Sequence, residues 1–175
     1  NEREIVLINS DLRSGNDIVL NAKRYITSLT VMDTEYKYRK EVKKKKSFLK
    51  TKTTTKIWEE DNEYANGTTL SAGGHILMNY VGTGITENGV QQKVENKGIF
   101  LQGADLVAMG EIIAESEGNI YIQGTRDRVS SYYDEQTKKS IIGISYGKSR
   151  DTVDMTQERY VQSKLYGVEG MSYDS

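Results

Sequence analysis

Leu70-Ser-Ala-Gly-Gly-His-Ile76-Leu-Met78 places an apolar residue, a glycine-bearing turn and an apolar-x-apolar strand within nine residues. The same offsets, 0, 6 and 8, recur in Leu12-Arg-Ser-Gly-Asn-Asp-Ile18-Val-Leu20 and in Leu106-Val-Ala-Met-Gly-Glu-Ile112-Ile-Ala114. Gly15, Gly73 with Gly74, and Gly110 fall inside the turns, where glycine accepts positive φ at little steric cost. A weaker fourth copy reads Ala114, then Gly118-Asn119-Ile120-Tyr121-Ile122. No such unit can bury its own apolar stripe. Stacked on its neighbours it contributes to a continuous one, as in a solenoid.

Between Ile99 and Ile122 the apolar segments return every six to eight residues. That spacing suits the successive faces of a coil of roughly twenty residues. Helical periodicity is nearly absent; only 154–166 permits it, and that stretch reads equally well as a strand. The fold class expected is all-β: a β-solenoid (parallel β-helix) with projecting β-hairpin insertions. Residues 1–175 form a single segment, and the start at Asn1 without methionine reads as part of a longer protein. The coils are interrupted at approximately 30–65, 81–97 and 126–153. The middle interruption holds Asn88-Gly89, a two-residue hairpin signal.

The interruption at 30–65 is strongly basic. Lys37 to Lys56 holds ten of the chain's 24 Lys and Arg and one acid, Glu41, while the flanks carry Asp33, Glu35, Glu59, Glu60, Asp61 and Glu63. Alternation of these charges with Tyr36, Tyr38, Val42, Phe48, Ile57 and Trp58 predicts two strands. The run Lys43–Lys46 between them predicts a solvated hairpin tip.

The quoted segments resemble a known family. Ser71–Met78 (SAGGHILM), Ser14–Leu20 (SGNDIVL) and Glu117–Gly124 (EGNIYIQG) are similar to the coils of filamentous haemagglutinins and contact-dependent growth inhibition exoproteins. Tyr36–Lys56 and Ser130–Gly147 resemble the Lys/Ser/Thr-rich insertions of their haemagglutinin repeats. The resemblance implies an internal stalk or adhesive segment of a very large protein, secreted and displayed on the bacterial cell surface. It implies an outer-membrane transporter of two-partner secretion as the partner in export. A toxin-delivery role in contact-dependent inhibition is the alternative it brings.

Composition removes several chemistries. Without cysteine there is no disulfide, thiolate nucleophile or Cys-based zinc site, and one histidine excludes multi-histidine metal centres. No apolar run approaches a membrane span. His75 shares its slot with Asp17, Glu111 and Asn119, which favours a polar corner over a catalytic base, and a polar ladder along one edge. Isolated acids lack the dense repeat of calcium-binding β-rolls. The expectation is therefore a protein that is not an enzyme, with no catalytic, cofactor or metal site.

One functional candidate remains. Lys37, Arg39, Lys43, Lys44, Lys45, Lys46, Lys50 and Lys52 could meet an anionic surface, with Tyr36, Tyr38, Tyr132 and Tyr133 as aromatic contacts. The bland reading is that lysines guard an exposed strand edge against aggregation. The expected partner is a target-cell surface, through a protein receptor, a glycan or lipopolysaccharide. Nucleic acid fits an exported protein less well than such a surface does.

Overall fold

The computed structural model describes residues 4–80 and 97–174. The chain is all-β, with no helix among the described residues. In chain order the strands begin with β1 (Ile5–Ile8), β2 (Asp11–Ser14), β3 (Ile18–Leu20) and β4 (Tyr25–Leu29). The long pair β5 (Val31–Ser47) and β6 (Lys50–Asn66) follows, then β7 (Thr69–Ala72) and β8 (Ile76–Met78). Next come β9 (Gly98–Gln102), β10 (Asp105–Ala108), β11 (Glu111–Glu115) and β12 (Asn119–Gln123). A second long pair, β13 (Thr125–Ile141) and β14 (Ile144–Val161), precedes β15 (Lys164–Gly167) and β16 (Gly170–Asp174). These strands fall into two compact units: Asn1–Met32 with Ala65–Arg126 and Tyr160–Ser175, and Asp33–Tyr64 with Asp127–Arg159.

The first unit contains three parallel sheets, ordered β1-β4-β9-β12, β2-β7-β10-β15 and β3-β8-β11-β16. The repeated apolar positions are what pair. Leu12, Leu70, Leu106 and Leu165 lie in register across the second sheet. Ile18, Ile76, Ile112 and Met171 do the same across the third. In the first sheet Ile5 pairs with Ile26 and Ile99 with Ile120, twenty-one residues apart in each case. Each three-strand set therefore adds one strand to every sheet.

Strands β7 and β10 alternate half-buried and buried residues, and β11 does likewise. This is the period-two signature of sheets with one covered face. Inward side chains of all three sheets form one cluster that includes Ile26, Leu70, Ile76, Leu106 and Ile112, each essentially fully buried. Burial of such a side chain contributes about 1.5–3 kcal/mol. Corners are closed by polar residues. Asn79 adopts φ 53°, which asparagine tolerates, and its Oδ1 accepts from the Ala22 N–H at 2.8 Å.

One detail of the repeat pattern differs from the sequence reading. Residues 119–123 are not a fourth copy of the unit, because Ile120 pairs with Ile99 in the first sheet. The fourth copy is Leu165, Met171 and Tyr173, at the same offsets. Its strands β15 and β16 end their sheets, so one side lacks a neighbour and larger, half-exposed residues fit there. The ambiguous stretch 154–166 is strand, not helix. The hairpin signal at Asn88-Gly89 lies outside the described residues.

The second unit is an antiparallel sheet, ordered β14-β13-β6-β5. Two-residue turns, Phe48–Leu49 and Ile142–Gly143, connect its hairpins. Lys43–Lys46 therefore lie within strand β5 and not at a tip: the alternation of exposed residues continues through the lysines to Ser47, and the chain reverses only afterwards.

Candidate functional site

The candidate cations all belong to the long hairpins. Strands β6 and β13 pair from Lys50↔Ile141 to Glu63↔Arg128, and the Ile142 N–H donates to the Leu49 carbonyl at 2.9 Å. The two hairpin ends therefore meet side by side. With this register, charge separates along the sheet. Residues 42–56 and 136–150 carry eleven Lys and Arg and no acid. The remainder of the unit, 33–41, 57–64, 127–135 and 151–159, carries thirteen acids and five cations.

In the acidic half Lys37, Arg39 and Arg128 have partners, Arg128 through Glu63 at 2.8 Å. Lys37 pairs with Glu35 at 3.0 Å and Glu60 at 3.9 Å, which raises its pKa, chiefly through the Glu35 bond. Arg39 lies 5.1 Å from the centre of the Trp58 ring, and Tyr133 tilts against that ring at 5.5 Å. Trp58, Tyr133 and their neighbours thus knit three strands together. The Tyr133 hydroxyl donates to Glu135 Oε2 at 2.6 Å, and Lys56 reaches the same carboxylate at 3.1 Å. These two bonds, Tyr133 first, hold Glu135 below the usual carboxylate range.

Asp134 is the buried acid of the sheet, 3% exposed. Arg150 Nε donates to its Oδ1 at 2.9 Å and Gln136 Nε2 to its Oδ2 at 2.8 Å. The Arg150 bond is the main reason its carboxyl sits below the ordinary range. Arg150 also donates to the Tyr132 hydroxyl at 3.1 Å. Tyr132 and Tyr133 are therefore parts of the sheet's internal bonding, whereas Tyr36 and Tyr38 remain exposed on the edge strand.

The other half is different. Lys45, Lys46, Lys50, Lys52, Lys139 and Tyr146 line a concavity of about 290 Å³ beside the joined turns. None of these five lysines has an ion pair among the described residues. Lys52 stands directly opposite Lys139, a like-charge pairing that destabilises a sheet. Lys43 instead pairs with Glu41 at 2.8 Å. Of the eight candidate cations, four come together here: Lys45, Lys46, Lys50 and Lys52. Lys44 stays on β5 outside the concavity, while Lys37, Arg39 and Lys43 have partners. Lys139 was missed by the sequence reading. Its signal was Lys138-Lys139 in the second insertion, but only the register brings it to Lys52.

His75 is also placed. Its backbone N–H donates to Asp17 Oδ1 at 2.7 Å, and its Nδ1 accepts from the Glu111 N–H at 2.9 Å. The ladder that forms runs from Asp17 through His75 to the Glu111 N–H; Asn119, expected in it, belongs to another sheet. Among the described residues no group of three or more His, Cys, Asp or Glu is placed to hold a metal ion.

No family model matches the chain, and no solved structure matches it. The chain is 24% identical over 160 residues to the 16S rRNA endonuclease CdiA of Enterobacter cloacae subsp. cloacae. The match covers 88% of this chain and 4% of that protein. It supports a relationship to contact-dependent inhibition exoproteins, and the chain spans a small part of the curated relative it matches.

Proposed function

We propose that the chain is a non-catalytic segment of a large secreted exoprotein of the contact-dependent inhibition type, serving as stalk and target-cell-binding surface. In this reading the three parallel sheets are the faces of a β-solenoid. Each set of three strands is one coil, and the long hairpins are excursions between coils. The observation that carries it is the in-register ladder Leu12–Leu70–Leu106–Leu165. Residues from separate sequence repeats cover one another in a shared core, which is how a repeat protein is stabilised along its length. Export through an outer-membrane transporter and display at the bacterial surface belong to the same proposal.

Binding of the fluorescently labelled chain to intact Gram-negative cells tests the reading. Saturable binding, displaced by excess unlabelled chain, supports a contact role. Absence of saturable binding removes it.

A toxin-delivery role is the second reading, favoured by the name of the relative, an endonuclease. Deleting the segment from its parent exoprotein separates the two. Lost attachment supports adhesion, whereas attachment retained with growth inhibition abolished supports delivery.

A further inference from the structure

The hairpin ends of the second unit carry features that structural duty alone does not explain. Turn residues are ordinarily polar or glycine, yet these turns present Phe48, 97% exposed, with Leu49, and Ile142, 74% exposed, followed at the start of β14 by the equally exposed Ile144. Ile142 adopts φ 49°, a strained region for a β-branched residue. Immediately behind these apolar side chains lie the unpaired Lys45, Lys46, Lys50, Lys52 and Lys139. Edge protection accounts for lysines on β5, but Lys50, Lys52 and Lys139 occupy the central strands β6 and β13. Glu41, Glu135 and Asp134, acids that border this half, are paired to Lys43, Lys56 and Arg150, and none forms an ion pair with the five lysines.

From this juxtaposition we propose that the paired turns dock on an anionic phospholipid bilayer. Phe48, Leu49, Ile142 and Ile144 enter the acyl boundary, and the five lysines hold lipid phosphates at the headgroup level. Apolar insertion together with a polybasic cluster is the two-part combination that gives stable attachment to a bilayer surface. Tyr146, which lines the same concavity, has the amphipathic ring suited to that interface. A nucleic acid would use the lysines but gives the turn residues no apolar phase to enter. This deepens the target-surface reading above and rests on it only for where the bilayer comes from.

Co-sedimentation of the full chain with vesicles of phosphatidylcholine, with and without phosphatidylglycerol, tests the proposal. The expected result is binding that requires phosphatidylglycerol. Neutralising Lys52→Gln or Lys139→Gln should weaken it about fivefold each. The double variant Phe48→Ser/Ile142→Asn, with charge unchanged, should weaken it about tenfold or more. Circular dichroism of each variant confirms that the sheet is intact; Ile142→Asn alone, at a position that favours asparagine, serves if the double variant misfolds. Equal binding to both vesicle types, no binding to either, or full binding by the apolar variants would overturn it. So would single-stranded DNA that displaces the chain from vesicles and binds wild type and apolar variants equally. Cell binding measured alongside keeps the two readings apart: a chain that binds cells but not vesicles loses only the bilayer proposal. One that binds vesicles but not cells loses only the target-surface reading.

Discussion

Asp17 Oδ1 accepts the backbone N–H of His75 at 2.7 Å, across 58 residues of sequence. One step further His75 does the same for Glu111 through Nδ1, which requires a neutral ring with its proton on Nε2. Each corner side chain thus satisfies an amide of the next stacked strand. Asp17→Ala is expected to destabilise the chain by about 1 kcal/mol, whereas Asp17→Asn keeps an acceptor and should cost little. Urea denaturation of the pair checks this; equal losses for both would remove the acceptor argument.

Glycine is required where that ladder crosses the neighbouring turn. A Cβ on Gly110 would meet His75 Cε1 and Nδ1 at 2.7 Å, and one on Gly74 would meet Asp17 Oδ1. Gly110→Ala should therefore cost about 1–3 kcal/mol through overpacking. In the double variant Gly110→Ala/His75→Ala most of that cost should disappear, because the obstructing ring is gone. A double-mutant cycle measures the coupling, and strict additivity would show that the ring is not the obstacle.

The leucine ladder sets a gradient of sensitivity. Leu70 and Leu106 are fully buried between strands on both sides, while Leu12 and Leu165 lie in terminal strands and are only partly covered. Leu70→Ala and Leu106→Ala should each cost about 2–5 kcal/mol, and Leu12→Ala and Leu165→Ala distinctly less. Denaturation midpoints order the four. Equal effects at inner and outer positions would contradict the packing described here.

These ladders are legible in the sequence because the Leu/Ile offsets are fixed by local geometry, a short corner and then a strand with one face covered. The corner glycines do not adopt positive φ; at Gly73, Gly74 and Gly110 it is the adjacent stacked turn that leaves no room for a Cβ. Leu165, Met171 and Tyr173 escape the same search because a terminal strand tolerates bulky, half-exposed residues in place of small aliphatic ones. The hairpin ends are harder still. Four consecutive lysines look like a solvated loop, yet strand pairing continues through them and reverses at Phe48–Leu49. That Lys139 faces Lys52, and that acids gather in the opposite half of the sheet, depends on a register between two strands, β6 and β13, that are far apart in the sequence. Nothing local encodes that register.

Acid should loosen the antiparallel sheet. Arg150 and Gln136 hold Asp134 below its usual range, and Tyr133 and Lys56 hold Glu135 there too. A depressed folded-state value stabilises the fold above the unfolded value, about 3.9 for Asp and 4.3 for Glu. That contribution is lost as pH falls through the lower folded-state values. Trp58, the only tryptophan, touches Tyr133 and reports on this sheet. Its thermal transition should move to lower temperature on acidification, and Asp134→Asn should both lower the neutral-pH transition and flatten the acid dependence. A transition in Asp134→Asn that follows pH as steeply as in wild type would exclude this carboxylate as a contributor.

Ile142 separates stability from surface binding. With φ 49° at Ile142 and 82° at Gly143, both turn positions are left-handed, the geometry of a two-residue turn for which Asn-Gly is the favoured pair. An L residue other than Gly, Asn or Asp costs about 1–2 kcal/mol there. Ile142→Asn should therefore raise the denaturation midpoint of the sheet, read through Trp58 fluorescence. The same substitution removes an exposed apolar group from the hairpin end and should weaken attachment to phosphatidylglycerol vesicles. A more stable chain that binds less well would show that isoleucine is not there for the fold. A less stable Ile142→Asn chain would mean that the side chain packs in a way its exposure denies.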